Sequence, residues 1–188
     1  EALMESCNIA LVKIGRELGA EKMYKYIKAF GFGTPTGIDL PAEANGQIPH
    51  SADSIGAARL ATMSYGHGIA VTPIQLINAV SAIANKGYLN TPRVVSRLED
   101  SNGNVIEKKK STPKRKVISD ETSETMKYLM GKVVSDGTGK RAQIPGYTVG
   151  GKTGTANIVA EGGTGYENSY IASFVGVAPL NDPKITVL

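Results

Sequence analysis

The sequence predicts an α+β fold, an antiparallel sheet with helices packed on it, from three observations. Apolar residues recur at helical spacing in several segments of the first two thirds of the chain. Three β-prone segments then follow one another with short connections, which is typical of antiparallel strands. Apolar residues make up 41% of the 188 residues, enough to form a core. We therefore expect a single globular domain without internal repeats.

Two helices are predicted at the start of the chain, forming a helical hairpin. Apolar residues recur at helical spacing over 3–18 and again over 23–30. Each segment ends at a glycine, Gly19 or Gly31, which favours helix termination. Glycines and prolines are then frequent over 31–54, and this composition predicts a long ordered loop.

Two further helices carry N-terminal capping signals. Thr72-Pro73-Ile74-Gln75 combines a capping box with proline at the first helical position, and an apolar stripe continues until Gly87. The stripe consists of Leu76, Ile77, Val80 and Ile83. Ser119 is the expected N-cap of a helix over about 121–134.

A β-hairpin is predicted between these two helices. Segments 93–98 and 105–107 flank Asp100-Ser-Asn-Gly, a turn-forming sequence. A basic window at 108–116 follows and contains no acid; its basic residues are Lys108, Lys109, Lys110, Lys114, Arg115 and Lys116. We expect this window to be a solvated loop, with binding to anionic wall polymer or lipid head groups as a remote alternative.

Three strands are predicted in the last part of the chain, over 147–156, over 170–177 and from Lys184 onward. The last strand stops without a turn after it, and residues 1–6 show neither a helix cap nor a signal-peptide pattern. We therefore expect the 188 residues to be part of a longer protein. The longest uncharged stretch, 68–84, is too short to cross a bilayer comfortably and is expected to be a buried helix.

The charge and the metal-binding residue types exclude several functions. The chain has 21 basic and 17 acidic residues, but six basic ones lie in the window 108–116, so the rest carries 15 minus 17, or −2. Basicity is local, and we expect no nucleic-acid partner. Cys7 is the only cysteine, and it is expected to pack as a small apolar group. With only His50 and His67 besides, an internal disulfide and a structural zinc site are not expected.

One segment matches the phosphate-binding loop. Gly146-Tyr-Thr-Val-Gly-Gly-Lys152-Thr153 satisfies G-x-x-x-x-G-K-[ST] at every fixed position. Such a loop requires a hydrophobic strand before it and a helix after it, because the phosphates bind at the N-terminus of that helix. Here Gln143-Ile-Pro-Gly precedes the segment, and several glycines follow where the helix should run. A nucleotide-binding protein is therefore a remote alternative.

The same residues can instead form an extended strand suited to acyl transfer. In a strand Lys152-Thr153-Gly154-Thr155, the two threonines project to one side and Gly154 leaves the backbone accessible. A peptide-like ligand could lie along that backbone while the Lys152 ammonium meets its carboxylate. Upstream, Ser6-Cys7-Asn8 lies on a helix-like segment and offers a hydroxyl beside an amide, suited to a proton relay and a hydrogen-bond clamp.

These two motifs resemble signatures of the penicillin-binding, serine-acyl-transferase fold, which are Ser-x-x-Lys, Ser-x-Asn and Lys-Thr-Gly. Ser6-Cys7-Asn8 is similar to the second and Lys152-Thr153-Gly154 to the third, in the expected order. The chain further resembles the monofunctional class B penicillin-binding proteins of cell division, elongation and sporulation. The similar segments are Thr36-Gly-Ile-Asp-Leu-Pro41, Ser64-Tyr-Gly-His-Gly68, Thr72-Pro-Ile-Gln75, Gly137-Thr-Gly139 and Ser173-Phe-Val-Gly-Val-Ala-Pro179.

The resemblance implies a D,D-transpeptidase that cross-links peptidoglycan stem peptides and is a target of β-lactam antibiotics. It implies that Ser6 relays a proton to the leaving amine, that Asn8 binds the acyl amide and that Lys152 supplies positive charge. Thr153 and Thr155 would hold the substrate carboxylate beside Gly154. The backbone N–H of Thr155 would form an oxyanion hole together with that of the catalytic serine.

The nucleophile motif is missing from its expected place before Ser6. Ser111-Thr-Pro-Lys114 matches Ser-x-x-Lys formally, but its proline breaks the helical turn that should bring serine and lysine to one face. The resemblance therefore implies that residues 1–188 are the C-terminal part of a single transpeptidase domain. The catalytic serine and its lysine would lie upstream, and this chain alone would be inactive.

Two other proteins of the same fold are alternatives. A serine β-lactamase needs a base for deacylation, and Glu43 lies in Pro-Ala-Glu-Ala-Asn, which differs from the Glu-x-x-Leu-Asn of those enzymes. A non-enzymatic penicillin sensor would bind the drug and signal, but Asp39-Leu-Pro41 resembles the transpeptidases better. The resemblance also implies a location at the extracytoplasmic face of the bacterial cytoplasmic membrane, with an N-terminal anchor. Partners would include other cell-wall synthesis proteins and the upstream segment of the same protein.

Overall fold

The computed structural model describes residues 1–159 and 166–188. Its elements are, in order, α1 (Asn8–Ala29), a 3-10 helix (Ala52–Ser54), α2 (Ala57–Met63), α3 (Pro73–Ala84), β1 (Tyr88–Asn90), β2 (Arg97–Glu99), β3 (Val105–Lys108), β4 (Pro113–Lys116), α4 (Asp120–Ser135), a second 3-10 helix (Lys140–Ala142), β5 (Gly150–Val159), β6 (Tyr166–Ala178) and β7 (Ile185–Val187). The strand pairs of the described residues are antiparallel. The predicted α+β fold is confirmed.

A three-stranded sheet carries the Lys-Thr-Gly segment. Its strand order is β5-β6-β7, so β5 lies at an edge of the sheet. Helices α3 and α4 pack against this sheet, and their contact buries a core cluster of Ala84, Met130 and Val177. The three predicted strands are therefore confirmed. The first begins at Gly150 instead of residue 147, because Tyr147 lies in a turn and donates its backbone N–H to the Ile144 carbonyl.

The start of the chain differs from the predicted helix. Ser6 has a φ of 54°, in the left-handed region, which a right-handed helix cannot include. The helix begins at Asn8, with Cys7 as its N-cap. The predictions that Ser6 lies on a helix-like segment and that Cys7 packs as an apolar group are both wrong, since Cys7 is exposed. Gly19 does break the helix, with φ 79° and ψ 162°, so α1 consists of two helical segments.

The long loop before α2 is held in place by α3. The Thr72 hydroxyl accepts from the Gln75 backbone N–H, and Gln75 Oε1 accepts from the Thr72 N–H, so the predicted capping box is confirmed. Gln75 Nε2 also donates to the carbonyls of Thr34 and Asn45, at 2.9 Å each. The side chain of Gln75 is 1% exposed. One buried amide therefore caps a helix and fixes two points of the loop.

The N-cap of α4 is confirmed as well, because the Ser119 hydroxyl accepts from the Thr122 N–H. The helix spans Asp120–Ser135, within two residues of the predicted bounds. The predicted hairpin is formed by β2 and β3, and Asp100 Oδ1 accepts from the backbone N–H groups of Asn102 and Asn104 in its turn. The short helix α2 has only seven residues, too few for a clear helical period, and was not predicted.

The basic window is largely tied to the fold. Residues Pro113–Lys116 form β4, which pairs with β1, so the loop prediction is wrong for this part. The Arg115 guanidinium donates to the carbonyls of Ala29 and Lys28, the last turn of α1, where positive charge complements the helix dipole. Two lysines form ion pairs, Lys109 with Glu107 and Lys116 with Asp120. These contacts account for Lys109, Arg115 and Lys116.

In the part of the chain that the structure describes, no helix has the length and the apolar character needed to span a membrane.

Candidate active site

Two segments far apart in the sequence meet at the edge of the sheet. Lys152 lies in β5, and its Nζ donates to the hydroxyl oxygen of Ser6, 146 residues away, at 2.9 Å. Ser6 lies in the turn that precedes α1, and its side chain is half-buried. The structure thus brings together the two predicted motifs at the residues for which a catalytic role is expected.

Lys152 is surrounded by oxygen atoms that accept hydrogen bonds. Besides Ser6 Oγ, its Nζ reaches the Thr153 carbonyl oxygen at 2.9 Å and Thr153 Oγ1 at 3.2 Å. An ammonium has three N–H donors, so these acceptors satisfy all of them. Within residues 1–159 and 166–188, Lys152 takes part in no ion pair. Partial burial lowers its pKa from the usual value of 10.5, because it disfavours the charged form.

The residues after Lys152 continue the strand as predicted. Thr153 is half-buried, and Thr155 is exposed on the same edge strand. Gly154 lies opposite Ser173 of β6, and a Cβ at this position would come within 2.6 Å of Ser173 Oγ. The absence of a side chain at Gly154 therefore allows β5 and β6 to pack closely. This adds to the role suggested by the sequence, in which the bare backbone is accessible to a ligand.

Asn8 is the first residue of α1, and its side chain is exposed. It lies two residues after Ser6, beyond the turn, so the Ser-x-Asn motif spans the junction of turn and helix. The turn itself is closed by the Cys7 N–H, which donates to the Ala2 carbonyl, and by the Ser6 N–H, which donates to the Leu3 carbonyl. The left-handed backbone of Ser6 is thus held by a local network of backbone hydrogen bonds.

A third segment, Gly137-Thr138-Gly139, borders the site, and sequence reasoning assigned it no role. The hydroxyls of Thr138 and Thr153 are 3.0 Å apart. The Thr138 N–H also donates to the Met4 carbonyl, in the turn that carries Ser6. The only signal in the sequence is the resemblance of this segment to the family, since its residues follow no hydrophobic period.

The phosphate-loop interpretation is wrong. Lys152 and Thr153 lie inside β5, opposite Val175 and Phe174 of β6, and the strand continues to Val159. The motif therefore runs into a strand where a phosphate loop would open a helix, so the N–H groups of a helix N-terminus are not available to phosphates. Of the glycines noted after the motif, residues 162, 163 and 165 lie outside the described residues.

The Ser111–Lys114 pair and Glu43 do not have the surroundings that a catalytic role requires. Lys114 lies in the strand β4, so Ser111 and Lys114 do not share a helical turn. Glu43 accepts from the backbone N–H groups of Thr36 and Gly37, at 2.7 Å and 3.0 Å. Burial raises the pKa of Glu43, but the hydrogen bonds from Thr36 and Gly37 outweigh this effect and leave it lowered. A carboxylate engaged in this way is a poor base for deacylation.

Comparison with known proteins identifies the family. A sequence profile described as the penicillin binding protein transpeptidase domain matches residues 1–188, so the chain belongs to this family. Stage V sporulation protein D of Bacillus subtilis (strain 168) is 44% identical over 188 residues, which cover 100% of this chain and 29% of that protein. A peptidoglycan D,D-transpeptidase FtsI homolog of Mesostigma viride is 30% identical over 204 residues, which cover 100% of this chain and 34% of that protein.

A solved structure extends the comparison to the fold. The crystal structure of penicillin binding protein 3 from Mycobacterium tuberculosis complexed with aztreonam has a TM-score of 0.90 at 29% identity, over 98% of this chain and 43% of that one. The predicted resemblance to class B penicillin-binding proteins is thereby confirmed, together with the fold. The chain spans about a third of the length of the curated relatives named above.

Proposed function

We propose that the protein is a peptidoglycan D,D-transpeptidase that works through a serine acyl-enzyme and is inhibited by β-lactams. The observation that carries the proposal is the 2.9 Å hydrogen bond from Lys152 Nζ to Ser6 Oγ, which joins two signature motifs of the family. The relatives support the substrate class, since one is named a peptidoglycan D,D-transpeptidase and another binds the β-lactam aztreonam.

The catalytic serine of the proposed reaction lies outside residues 1–188. Its hydroxyl oxygen attacks the carbonyl of the penultimate D-alanine of one stem peptide, and the terminal D-alanine leaves as a free amine. Ser6 relays the proton released by the attacking hydroxyl to the nitrogen of that leaving amine. An amine of a neighbouring stem peptide then attacks the acyl-enzyme, restores the serine hydroxyl and forms the cross-link. No step uses a metal or an organic cofactor.

Lys152 controls the charge of this site. Its ammonium favours the binding of a carboxylate. It also stabilises the negative charge that Ser6 carries when it has given up its proton, because both negative charges lie within reach of the ammonium. The contact at 2.9 Å between Lys152 and Ser6 suits this proton relay.

The substrate would be held along the exposed edge of β5. The hydroxyls of Thr153 and Thr155 bind its carboxylate, and the bare backbone at Gly154 lets it approach closely. The Thr155 N–H would form the oxyanion hole together with the N–H of the catalytic serine, and the loss of one such donor typically costs about 3 kcal/mol. Asn8 binds the amide of the acyl group with its exposed side chain.

Residues 1–188 would be the C-terminal part of one transpeptidase domain. The protein would act at the extracytoplasmic face of the bacterial cytoplasmic membrane, anchored by an N-terminal segment. There it would work with other cell-wall synthesis proteins. Because the 44% identical relative is named a stage V sporulation protein, sporulation is the first role to test for this protein.

One experiment separates this function from its alternatives. The full-length protein is incubated with fluorescent penicillin, and the lifetime of the acyl-enzyme and the release of D-alanine from a pentapeptide substrate are measured. A transpeptidase forms a long-lived acyl-enzyme and releases D-alanine in the presence of an acceptor amine. Rapid turnover of penicillin would instead indicate a β-lactamase, and stable acylation without D-alanine release a sensor.

A further inference from the structure

The turn at Gly137-Thr138-Gly139 is packed tightly against the turn that carries Ser6. A Cβ at Gly137 would lie 2.4 Å from the Met4 carbonyl oxygen and 2.6 Å from Met4 Cγ, so a larger residue does not fit without movement. The Thr138 N–H donates to the same Met4 carbonyl at 3.2 Å. These backbone contacts fix the position of Thr138 relative to the turn that carries Ser6.

The side chain of Thr138 contacts the candidate site through Thr153. Their hydroxyl oxygens are 3.0 Å apart, and either could donate on distance alone. Thr153 Oγ1 already accepts from Lys152 Nζ at 3.2 Å, and that nitrogen cannot accept while it is charged. A hydroxyl has one proton and two lone pairs, so one lone pair and the proton of Thr153 remain to be assigned.

Two oxygens of the protein lie near the Thr138 hydroxyl, and they differ in distance. The Met4 carbonyl oxygen is 3.4 Å from Thr138 Oγ1, beyond the usual range for a hydroxyl donor, whereas Thr153 Oγ1 is at 3.0 Å. We take the nearer oxygen, Thr153 Oγ1, as the acceptor of the Thr138 proton. Both lone pairs of Thr153 are then occupied, and its own proton is left for a third group at the exposed edge of β5.

We propose that Thr138 is a positioning residue that makes the Thr153 hydroxyl a donor toward the substrate carboxylate. The inference rests on the proposed function, in which Thr153 binds that carboxylate. A hydroxyl that can only donate suits an anion, because a free lone pair facing a carboxylate would repel it. Thr138 does not touch the substrate in this scheme and acts through Thr153 alone.

Substitutions at Thr138 can separate this role from a structural one. Thr138→Val keeps the shape and the backbone N–H to Met4 but removes the hydroxyl, and Thr138→Ser keeps the hydroxyl. Thr138 is exposed, so valine is expected to be tolerated there. Thr138→Ala removes the hydroxyl without a branched side chain and gives the same test if the valine variant does not fold.

The experiment measures the second-order rate of acylation of the full-length protein by a penicillin with a free carboxylate and by its methyl ester. We expect Thr138→Val to react about tenfold more slowly with the acid, which corresponds to the loss of one hydrogen bond to a charged group. Thr138→Ser should stay within about twofold of the wild type. With the ester, which carries no anion, wild type and Thr138→Val should react at equal rates. In a Thr153→Val background, Thr138→Val should have no further effect.

The results that would overturn the inference are distinct from those that would overturn the function. A wild-type rate for Thr138→Val with the acid, or an equal loss with acid and ester, contradicts the positioning role while penicillin acylation itself stands. A further loss in the Thr153→Val background would show that Thr138 does not act through Thr153. If the wild-type protein is not acylated by penicillin at all, the proposed function fails and the inference fails with it.

Discussion

Lys152 is the residue on which the proposed chemistry depends most. Replacing it with alanine in the full-length protein should slow penicillin acylation by about a hundredfold or more, because the drug's carboxylate loses its charge partner and Ser6 loses its hydrogen-bond donor. Lys152→Arg keeps the charge but changes its shape, so partial recovery is expected. The rates are measured with fluorescent penicillin, and circular dichroism checks the fold. A wild-type rate in Lys152→Ala would contradict the assignment of this strand to the site.

The pH dependence of acylation provides a second prediction at this residue. Burial lowers the pKa of Lys152 by favouring the neutral form, so its positive charge is lost at a lower pH than for a free lysine at 10.5. If the positive charge of Lys152 binds the carboxylate, the acylation rate should decrease as the pH rises, and the decrease should begin at a lower pH than the ordinary lysine pKa of 10.5 would give. Lys152→Arg stays charged at any pH used, and its alkaline decline should disappear. The exposed Lys13, replaced by alanine, is the control. A rate that rises as Lys152 loses its proton would instead indicate that the neutral amine acts as a base.

The residues of the candidate site could be named from the sequence, but their arrangement in space could not. Ser6 and Lys152 could be named because each belongs to a short ordered motif, whereas the left-handed φ of Ser6 depends on backbone hydrogen bonds that no side-chain pattern encodes. Thr138 forms a hydrogen bond with Thr153, which is 15 positions later in the sequence. This contact exists because the segment after α4 lies beside the start of β5. Proximity of this kind arises from the fold and leaves no periodic signal.

At the scale of elements, the N-terminus of α3 controls the long loop before it. Gln75→Leu would leave the Thr72 N–H and the carbonyls of Thr34 and Asn45 without their partner inside the protein. We expect a loss of about 2–4 kcal/mol in the free energy of unfolding. Thr72→Ala removes only the cap and should cost about 1 kcal/mol. Urea denaturation of the full-length protein, followed by circular dichroism, measures both. Equal losses would show that the two loop contacts contribute nothing beyond the cap.

The elements that were predicted well are those whose signals are local. The capping box at Thr72 and the N-cap at Ser119 place α3 and α4 within two residues, because a cap is formed by side chains a few positions apart. The sequence does not indicate the strand β4, because its basic side chains favour solvent. Its pairing with β1 joins residues more than 20 positions apart in the sequence. Arg115 belongs to this strand for a tertiary reason, its bonds to the last carbonyls of α1.

At the scale of the whole molecule, the outer part of the sheet exposes apolar side chains. Ile171 of β6 and Ile185 and Val187 of β7 are each 59% exposed. Sheet residues of this kind are normally covered, since exposed apolar patches favour association. The chain also spans only about a third of the length of its curated relatives. We therefore expect other parts of the protein to cover this surface, and the isolated 188 residues to be poorly soluble or partly folded.

The last prediction concerns what the 188 residues can do alone. Acyl transfer needs a nucleophile with a base within hydrogen-bond reach. In the described residues the group at the Ser6 hydroxyl is the Lys152 ammonium, which donates to Ser6 and to two oxygens of Thr153 and has no lone pair to accept the Ser6 proton. Ser6 should therefore not replace the proposed upstream serine. Fluorescent penicillin should leave the isolated chain unlabelled, and it should label the full-length protein at a serine of a Ser-x-x-Lys segment before residue 1. Peptide mass mapping locates the label. Stoichiometric labelling of the isolated chain at Ser6 or Ser111 would show that the nucleophile lies within these residues.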